Sequence, residues 1–289
     1  MKRLLFLLFS ALLIVALAAC GGGSDEAETD TQNDQAQEQE GEAQEPVTIK
    51  VGASSVPHAE ILEEAKPILE EEGIILEIEP YEDYVLPNDD LASGELDANY
   101  FQHIPYLEQT VADTGYDLTH IGGIHIEPMG VYSKSISSID EIEDGTEVIL
   151  SNSVSDHGRI LNLFAQQGLI TLKDGVKVGE ATFDDIVENP KNLRFSPDYD
   201  PAFLPELYET EEDALVVINT NFAIQAGLDP QADSIFREGD DSPYVNVIAV
   251  RTEDKDREEL HRLVEVLRSE EIQNFILEKY NGAVVPVSE

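Results

Sequence analysis

The chain has 289 residues, with 17 lysines and arginines against 60 aspartates and glutamates, so its formal net charge at pH 7 is −43. A folded body this acidic excludes nucleic acids and anionic membrane surfaces as partners, because both would repel it. Such a charge is typical of proteins adapted to salty surroundings, where ions screen the self-repulsion, and we expect the body to melt at a higher temperature in molar salt than in dilute buffer.

The first 20 residues have the pattern of an export signal. Residues 1–3 include two basic side chains, residues 4–17 are apolar except for Ser10, and Ala18 and Ala19 precede Cys20. The apolar run is shorter than the roughly 20 residues of a transmembrane helix, and small residues before a cleavage point mark a secretory signal. A cysteine at that point resembles a bacterial lipobox. We therefore predict a signal peptide over residues 1–19 and a lipid on Cys20 that anchors the protein at the extracytoplasmic face of the cell membrane.

Residues 20–46 are predicted to form a disordered acidic tether. The segment has no aromatic and no branched aliphatic side chain, so it cannot bury enough apolar surface to offset the entropy lost on ordering. Cys20 is the only cysteine, so the body has no internal disulfide and must be stabilised by its core. Residues 47–289 are long enough for one large domain or two medium ones.

Strand and helix patterns alternate through the body. Short apolar runs predict strands at Val47–Gly52, Ile74–Ile78, Met129–Tyr132, Val148–Leu150, Leu215–Ile218 and Val245–Val250. Apolar residues at helical spacing predict helices from the Ser54–Pro57 turn to Gly73, with Pro57 near the first turn, and at Ile104–Val111, Gly158–Gln167, Phe222–Ala226 and Asp256–Leu267. Repeated strand–helix units predict an α/β fold with a largely parallel sheet and helices on both faces.

We expect two α/β lobes with a ligand cleft between them. In open α/β sheets, ligands bind beyond the carboxyl ends of the strands. The turns that follow the predicted strands are therefore the places where a ligand is expected, namely residues 54–58, 99–103, 151–159 and 219–222.

Six segments of the body form recognisable motifs. They are residues 51–62 (VGASSVPHAEIL), 94–107 (GELDANYFQHIPYL), 125–133 (HIEPMGVYS), 217–223 (VINTNFA), 242–246 (SPYVN) and 282–286 (GAVVP). In this order they resemble the NlpA family of methionine-binding lipoproteins over nearly the whole body. The resemblance implies a two-lobed periplasmic-binding-protein type II fold with the ligand cleft between the lobes. Residues 47–132 and 242–289 would form lobe one, and residues 133–241 would form lobe two.

The resemblance also implies a function. The protein would be a monomer without catalytic activity, cofactor or metal, and it would bind methionine in the L or the D form. It would deliver methionine to the permease and ATPase of an ABC importer by closing its cleft. Residues 153–157, within the stretch NSVSDHGR, depart from the usual family pattern. Another small amino acid or a methionyl dipeptide therefore stays open as the ligand.

Arg159 is predicted to bind the carboxylate of an amino acid. Its guanidinium offers a planar fork that fits a carboxylate, and it follows the start of a predicted helix, where free N–H groups favour an anion. Asparagine amides suit the ammonium group because they offer acceptors as well as donors. Asn219, Asn221 and Asn246, at the ends of predicted strands in matching motifs, are the candidates, with turn capping as their alternative role.

Aromatic side chains are predicted to hold the thioether, because contacts between sulfur and aromatic rings are mildly favourable. Tyr84, Tyr100, Phe101 and His103 are the candidates, and ordinary core packing is the alternative. His103 has a second alternative role as the cap of the helix that follows it. His58 is expected either to line the cleft or to be a buried structural histidine.

Other classes of function remain as alternatives. A metal-binding lipoprotein or metalloenzyme would use His58, His103, His120 and His125, but His120 and His125 do not share a helix face and no His-Glu-x-x-His motif occurs. An adhesin without a small ligand is a further alternative. Nucleophilic catalysis has little support, because no Gly-x-Ser-x-Gly motif is present and Cys20 is predicted to carry a lipid.

Overall fold

The computed structural model of the chain describes residues 45–287. The predicted signal peptide, the lipid on Cys20 and the tether up to residue 44 lie outside this range. Within residues 45–287, none of the helices combines the length and the apolar composition that crossing a membrane requires.

The described residues form alternating strands and helices. The strands are β1 (Val47–Ser54), β2 (Ile74–Tyr81), β3 (Ala98–His103), β4 (Leu118–Ile126), β5 (Gly130–Tyr132), β6 (Glu147–Ser151), β7 (Thr171–Leu172), β8 (Ile186–Glu188), β9 (Arg194–Tyr199), β10 (Leu215–Ile218), β11 (Phe236–Arg237), β12 (Val245–Arg251) and β13 (Val285–Pro286). The helices are α1 (Glu60–Glu71), α2 (Leu86–Ser93), α3 (Ile104–Thr114), α4 (Val154–Gln166), α5 (Leu204–Thr210), α6 (Thr220–Gln225), α7 (Glu258–Leu267) and α8 (Glu270–Tyr280).

The first lobe is built on a six-stranded sheet in the order β13-β4-β12-β3-β1-β2. Strand β1 runs parallel to β2 and β3, whereas β12 runs antiparallel to β3 and β4. The prediction of a largely parallel sheet is therefore wrong for this lobe. Strand β4 carries the chain out of the sheet, and β12 brings it back in the opposite direction. Helices α1, α7 and α8 cover one face with a core that includes Ile61, Leu69 and Leu263.

The second lobe has a five-stranded sheet in the order β11-β5-β10-β6-β9. Strands β10, β6 and β9 are parallel, and β5 runs antiparallel to β10 and β11. Strand β5 (Gly130–Tyr132) pairs in this sheet, although the sequence assigned residues 130–132 to the end of lobe one. The chain thus passes between the sheets at residues 127–129 and again at residues 238–244.

The first helix differs from its prediction at its start. Ile61, Leu62, Ala65 and Leu69 are buried at helical spacing, as the pattern indicated. The helix begins at Glu60 rather than beside Pro57, because Val56 is extended with φ −138° and ψ 137°, the conformation that a following proline favours. Residues 55–59 therefore form a separate turn, in which His58 is buried.

Helix α4 is longer than predicted. It begins at Val154 rather than at Gly158, so the atypical stretch 153–157 supplies the first turn of the helix instead of a loop. Asp156 and Arg159 are consequently on the same helix, three residues apart, and they lie on neighbouring positions of one face.

Candidate ligand-binding site

A cavity is enclosed by residues of both lobes. It contains about 430 Å³ of space that protein atoms do not fill, part of which is open solvent. Seven of the nine predicted binding residues line it, namely Tyr84, Phe101, His103, Arg159, Asn219, Asn221 and Asn246. His58 and Tyr100 are buried but do not line the cavity.

Arg159 projects from α4 to the cavity wall and already has several protein partners. Its Nε–H donates to Glu238 Oε1 at 3.1 Å, and one terminal nitrogen donates to Glu238 Oε2 and, at 3.2 Å, to the main-chain oxygen of Glu127. The other terminal nitrogen lies 3.5 Å from Asp156 Oδ1, and the Tyr244 ring covers the guanidinium at 4.2 Å. Burial favours a lower pKa for Arg159, but Glu238 and Asp156 raise it, so the group stays cationic. The terminal nitrogen near Asp156 contacts only Asp156 among the described residues, so one of its two N–H groups has no protein partner.

Asp156 joins the two lobes from the first turn of α4, where it is 1% exposed. Its Oδ1 lies 3.1 Å from Nε2 of His103, and its Oδ2 accepts from the amide nitrogen of Asn219 at 3.1 Å. Burial favours a higher pKa for Asp156, but His103, Arg159 and Asn219 together hold the pKa well below its usual range. His103 also accepts the N–H of Tyr106 at Nδ1, so it both lines the cavity and caps α3.

Behind the cavity wall, three ring side chains surround the carboxylate of Glu127. His125 Nε2 lies 2.8 Å and His58 Nε2 lies 3.2 Å from Glu127 Oε1. The main-chain N–H of Asn221 donates to Oε2 at 3.0 Å, and the Tyr100 hydroxyl is hydrogen-bonded to His125 Nδ1. The cluster explains the positions of His58 and Tyr100, which support Glu127 from behind the cavity.

Burial governs protonation in this cluster. It lowers the pKa of His125 to about 3 and that of His58 to about 4, the latter against the attraction of Glu127, so both imidazoles are neutral at pH 7. Burial raises the pKa of Glu127, while His58, the N–H of Asn221 and Arg159 oppose the rise.

The three asparagines keep different groups available. Asn246 Oδ1 lies 3.2 Å from Nε2 of His58, so its amide nitrogen is the group left for a ligand. Asn221 Oδ1 accepts the Tyr84 hydroxyl at 2.6 Å. Asn219 donates through its amide nitrogen to Asp156, and its buried Oδ1 has no hydrogen-bond partner among the described residues. Asn219 therefore offers an acceptor, and Asn246 offers a donor.

The remaining wall is aromatic and apolar. The Tyr84 ring centroid lies 5.9 Å from the centroids of Phe101 and Tyr106, and 5.1 Å from that of Phe222. Met129, which is 1% exposed, also lines the cavity. These side chains suit an extended apolar ligand side chain.

The structure brings two of the four histidines of the metal hypothesis together. Within residues 45–287, the one group of potential ligands consists of His58, His125 and Glu127, with ligand atoms within 4.8 Å of one another. His125 Nε2 is hydrogen-bonded to Glu127 Oε1 and His58 Nε2 to Asn246 Oδ1, so hydrogen bonds account for the arrangement. His103 pairs with Asp156 instead, and His120 is exposed, so the four histidines do not form a common site.

Sequence reasoning missed several cavity residues, namely Gln102, Tyr106, Glu127, Met129, Asp156 and Thr220. All but Asp156 lie within the six family motifs. The motifs therefore marked these positions as part of a conserved pattern of the family but did not reveal which side chains face the cavity. A carboxylate such as Glu127, next to a run of apolar residues, was an available indication of a buried charge with a specific partner.

Known proteins resemble this chain over most of its length. Residues 49–288 match the family model described as NlpA lipoprotein. The methionine-binding lipoprotein MetQ of Bacillus subtilis strain 168 is 46% identical over 243 residues, which are 83% of this chain and 88% of that protein. A pheromone cOB1 precursor/lipoprotein of Enterococcus faecalis V583 has a crystal structure with a TM-score of 0.81 at 53% identity, covering 83% of this chain and 100% of that one.

A nutrient binding protein from Burkholderia cenocepacia, whose structure was solved bound to methionine, has a TM-score of 0.77 at 40% identity. The match covers 82% of this chain and 99% of that one. These similarities confirm the family resemblance and the two-lobed binding-protein fold. The chain belongs to the NlpA lipoprotein family.

Proposed function

We propose that this protein binds methionine in the cleft and presents it to an ABC importer. The observation that carries the proposal is the cavity between the lobes, where Arg159, Asn246 and Asn219 keep donor and acceptor groups for an amino acid. The names of the relatives, which include a methionine-binding lipoprotein and a structure bound to methionine, support the same ligand.

The polar groups fit the two ends of a zwitterion. The unpaired Oδ1 of Asn219 would accept a hydrogen bond from the ligand ammonium. The ligand carboxylate would be bound by the N–H group of Arg159 that has no protein partner and by the amide nitrogen of Asn246, because charge-assisted bonds to a guanidinium are the strong ones. The thioether chain would lie against Tyr84, Phe101 and Met129, where ring and sulfur contacts are favourable.

Closure of the cleft would couple binding to transport. Arg159 belongs to α4 of the second lobe, and Asn246 belongs to β12 of the first lobe. A ligand that bonds to both side chains stabilises the closed arrangement over an open one, which is how hinged binding proteins respond to ligands. The closed form would then dock on the permease of the importer, and the ATPase would drive transport.

The location follows from the N-terminal segment. A lipid on Cys20 and the tether that ends near residue 46 would keep the folded body at the extracytoplasmic face of the membrane, within reach of the permease. For the lobes, we propose residues 47–126 with 245–289 as lobe one and residues 130–237 as lobe two, since β5 pairs in the second sheet.

Calorimetric titration of residues 47–289 with L-methionine and D-methionine tests the proposal, after unfolding and refolding to remove bound ligand. We expect one-to-one binding that Arg159→Ala weakens by at least about tenfold, because a lost charge-assisted bond costs about 1.5–3 kcal/mol. Binding of another amino acid or of a methionyl dipeptide in place of methionine would refute the ligand and keep the mechanism. Affinity within threefold of wild type in Arg159→Ala would refute the carboxylate assignment.

A further inference from the structure

We propose that Tyr244, at the end of the second crossing between the sheets, is a positioning residue that holds the Arg159 guanidinium in place and ties it to lobe one. Tyr244 is not among the residues that line the cavity, so it would act on the ligand through Arg159. This inference rests on the proposed function and adds to it a residue that couples recognition of the ligand carboxylate to closure of the cleft.

Arg159 is held by both segments that carry the chain between the lobes. Its guanidinium donates to the main-chain oxygen of Glu127, in the first crossing at residues 127–129, at 3.2 Å. Glu238, at the start of the second crossing at residues 238–244, accepts two bonds from it. Tyr244, at the end of the same crossing, places its ring 4.2 Å from the guanidinium carbon. The side chain expected to bind the ligand carboxylate therefore contacts the parts of the chain where the lobes are joined.

The Tyr244 ring holds the cation without using its N–H groups. Glu238, Asp156 and the Glu127 oxygen all accept hydrogen bonds from the guanidinium, so each of them takes up donor capacity. A cation–π contact instead acts through the face of the ring. Burial raises the pKa of Tyr244 to about 12, so the phenol keeps its proton at pH 7 and the attraction comes from the ring. The ring can thus orient Arg159 and leave the N–H group near Asp156 for a ligand.

Tyr244 belongs to lobe one by its main chain and packs against lobe two with its side chain. It directly precedes β12, which pairs with β3 and β4 in the first sheet. Its ring lies 5.1 Å from the ring of His103, at the end of β3. Its hydroxyl reaches Gly179 in the second lobe, where an added Cβ atom would lie 2.7 Å from the hydroxyl oxygen. A rotation that separates the lobes would therefore carry the ring away from Arg159 and Gly179.

A contact that opening breaks contributes to the affinity for the ligand. It stabilises the closed arrangement, and a ligand that bonds to both lobes binds that arrangement. Cation–π attraction is stronger where water is excluded, and Tyr244 is 3% and Arg159 4% exposed. Removing the ring should therefore weaken ligand binding, whereas exchanging tyrosine for phenylalanine should not, because the rings of both residues attract cations.

Calorimetric titration of the full-length lipoprotein in detergent with L-methionine, after removal of bound ligand, tests the role of the ring. Tyr244→Leu keeps an apolar side chain without the ring, and we expect it to weaken binding about three- to tenfold. Tyr244→Phe should bind within about twofold of wild type. Tyr208→Leu is the matched control, because it removes a ring that lies over Lys134 at 4.4 Å in lobe two, outside the cavity, and it should change nothing.

A double-mutant cycle separates the positioning of Arg159 from general support of the fold. In an Arg159→Ala background, weak binding can be followed by the rise in melting temperature at millimolar methionine. There, Tyr244→Leu should weaken binding by less than about twofold, because the cation that the ring attracts is gone. An equal loss of affinity in both backgrounds would mean that Tyr244 acts independently of Arg159, and it would overturn the proposal.

Kinetics test the link to closure. Stopped-flow mixing can be followed by tyrosine fluorescence, since the chain has no tryptophan. Because the ring contact belongs to the closed arrangement, Tyr244→Leu should raise the dissociation rate of methionine and leave the association rate within about twofold of wild type. A loss that lies in the association rate instead would mean that the ring already acts in the open form, which would refute the coupling to closure.

The remaining outcomes separate this role from the proposed function. Wild-type affinity in Tyr244→Leu, or an equal loss in Tyr244→Phe, would refute the role of the ring and leave the proposed function standing. If wild type does not bind methionine, the proposed function fails and the positioning role fails with it. Should circular dichroism reveal that Tyr244→Leu does not fold, Tyr244→Met, which fills more of the volume of the ring, takes its place with the same expected results.

Discussion

His103 and Asp156 join the two lobes directly across the cleft, with the imidazole Nε2 3.1 Å from the carboxylate Oδ1. His103 ends β3 in the first lobe, and Asp156 lies in α4 of the second. Because Nδ1 of His103 accepts the N–H of Tyr106, the proton is on Nε2 and points at Asp156. A second bond across the cleft runs from the Tyr84 hydroxyl to Asn221. The closed arrangement is thus held partly by the protein itself.

We predict that Asp156→Asn loosens closure and weakens methionine binding by about tenfold. The change removes the negative charge of the carboxylate that His103, Asn219 and Arg159 contact. A hydrogen bond to a charged group is worth about 1.5–3 kcal/mol. Small-angle scattering should reveal a larger radius of gyration without ligand, and calorimetry should reveal the loss of affinity. Asp198→Asn, at an exposed position of β9, is the control. Wild-type scattering and affinity in Asp156→Asn would contradict the role of the pair.

Glu238 is predicted to stabilise the fold through Arg159. It accepts two bonds from the guanidinium and the main-chain N–H of Met129 at 2.9 Å, so it connects α4 to the segment where the chain first passes between the sheets. Removing one partner of a buried ion pair costs about 3–5 kcal/mol, so Glu238→Ala should lower the free energy of unfolding by about 3 kcal/mol in urea.

The control for Glu238 is an exposed ion pair of similar length. Glu180 lies 2.9 Å from Lys177, and their side chains are 64% and 77% exposed. Such pairs contribute about 0–1 kcal/mol, so Glu180→Ala should have little effect. Equal effects of the two substitutions would mean that burial adds nothing to the Arg159–Glu238 pair.

The buried histidines predict acid sensitivity. The pKa of a histidine is about 6.5 in the unfolded chain, whereas in the fold it is about 3 for His125 and about 4 for His58. Between these values the unfolded chain binds more protons than the fold. The contribution to stability is therefore complete above pH 6.5 and is lost as the pH falls toward the folded values.

Urea unfolding across this pH range measures the effect. Near pH 5, each buried neutral histidine should lower the free energy of unfolding by about 1.4 kcal/mol for every unit by which the pH falls. His125→Gln should reduce the slope by about that amount, whereas His120→Gln, at an exposed position of β4, should leave it unchanged. A slope in His125→Gln equal to that of wild type would mean that His125 is already protonated in the fold.

The apolar periodicity of the sequence predicted strands and helices that depend mainly on local interactions. The strands at β1, β2, β6, β10 and β12 and the helices at α1, α3 and α7 follow apolar periodicity closely enough to be found within a few residues. Helices α2 and α8 and strand β4 were not assigned, and the antiparallel placement of β12 depends on the path of the chain between lobes, which periodicity does not contain.

Cavity residues were predictable where a motif and a chemical type coincided, as for Asn219 and Asn246. Asp156 and Glu127 were missed because their roles depend on partners distant in sequence: His103 lies 53 residues from Asp156, and Asn221 lies 94 residues from Glu127. Tyr100, an expected wall residue, packs behind the cavity instead, with its hydroxyl hydrogen-bonded to His125, which lies 25 residues away in sequence.

Gly158 is constrained by a close contact with Gly179 that the sequence does not reveal. On propensity alone, alanine at this helical position would stabilise α4 by up to about 1 kcal/mol. A Cβ atom there, however, would overlap the carbonyl group of Gly179, which is main chain and cannot rotate away. We expect Gly158→Ala to destabilise the protein by about 1–3 kcal/mol, as overpacking does.

The same substitution should weaken methionine binding several-fold, because α4 must shift and it carries both Asp156 and Arg159. Urea unfolding and calorimetry measure the two effects, with Gln166→Ala at the exposed end of α4 as the control. Because helix propensity and steric overlap predict opposite signs, a more stable Gly158→Ala protein with unchanged affinity would mean that the Gly179 loop gives way without disturbing the helix.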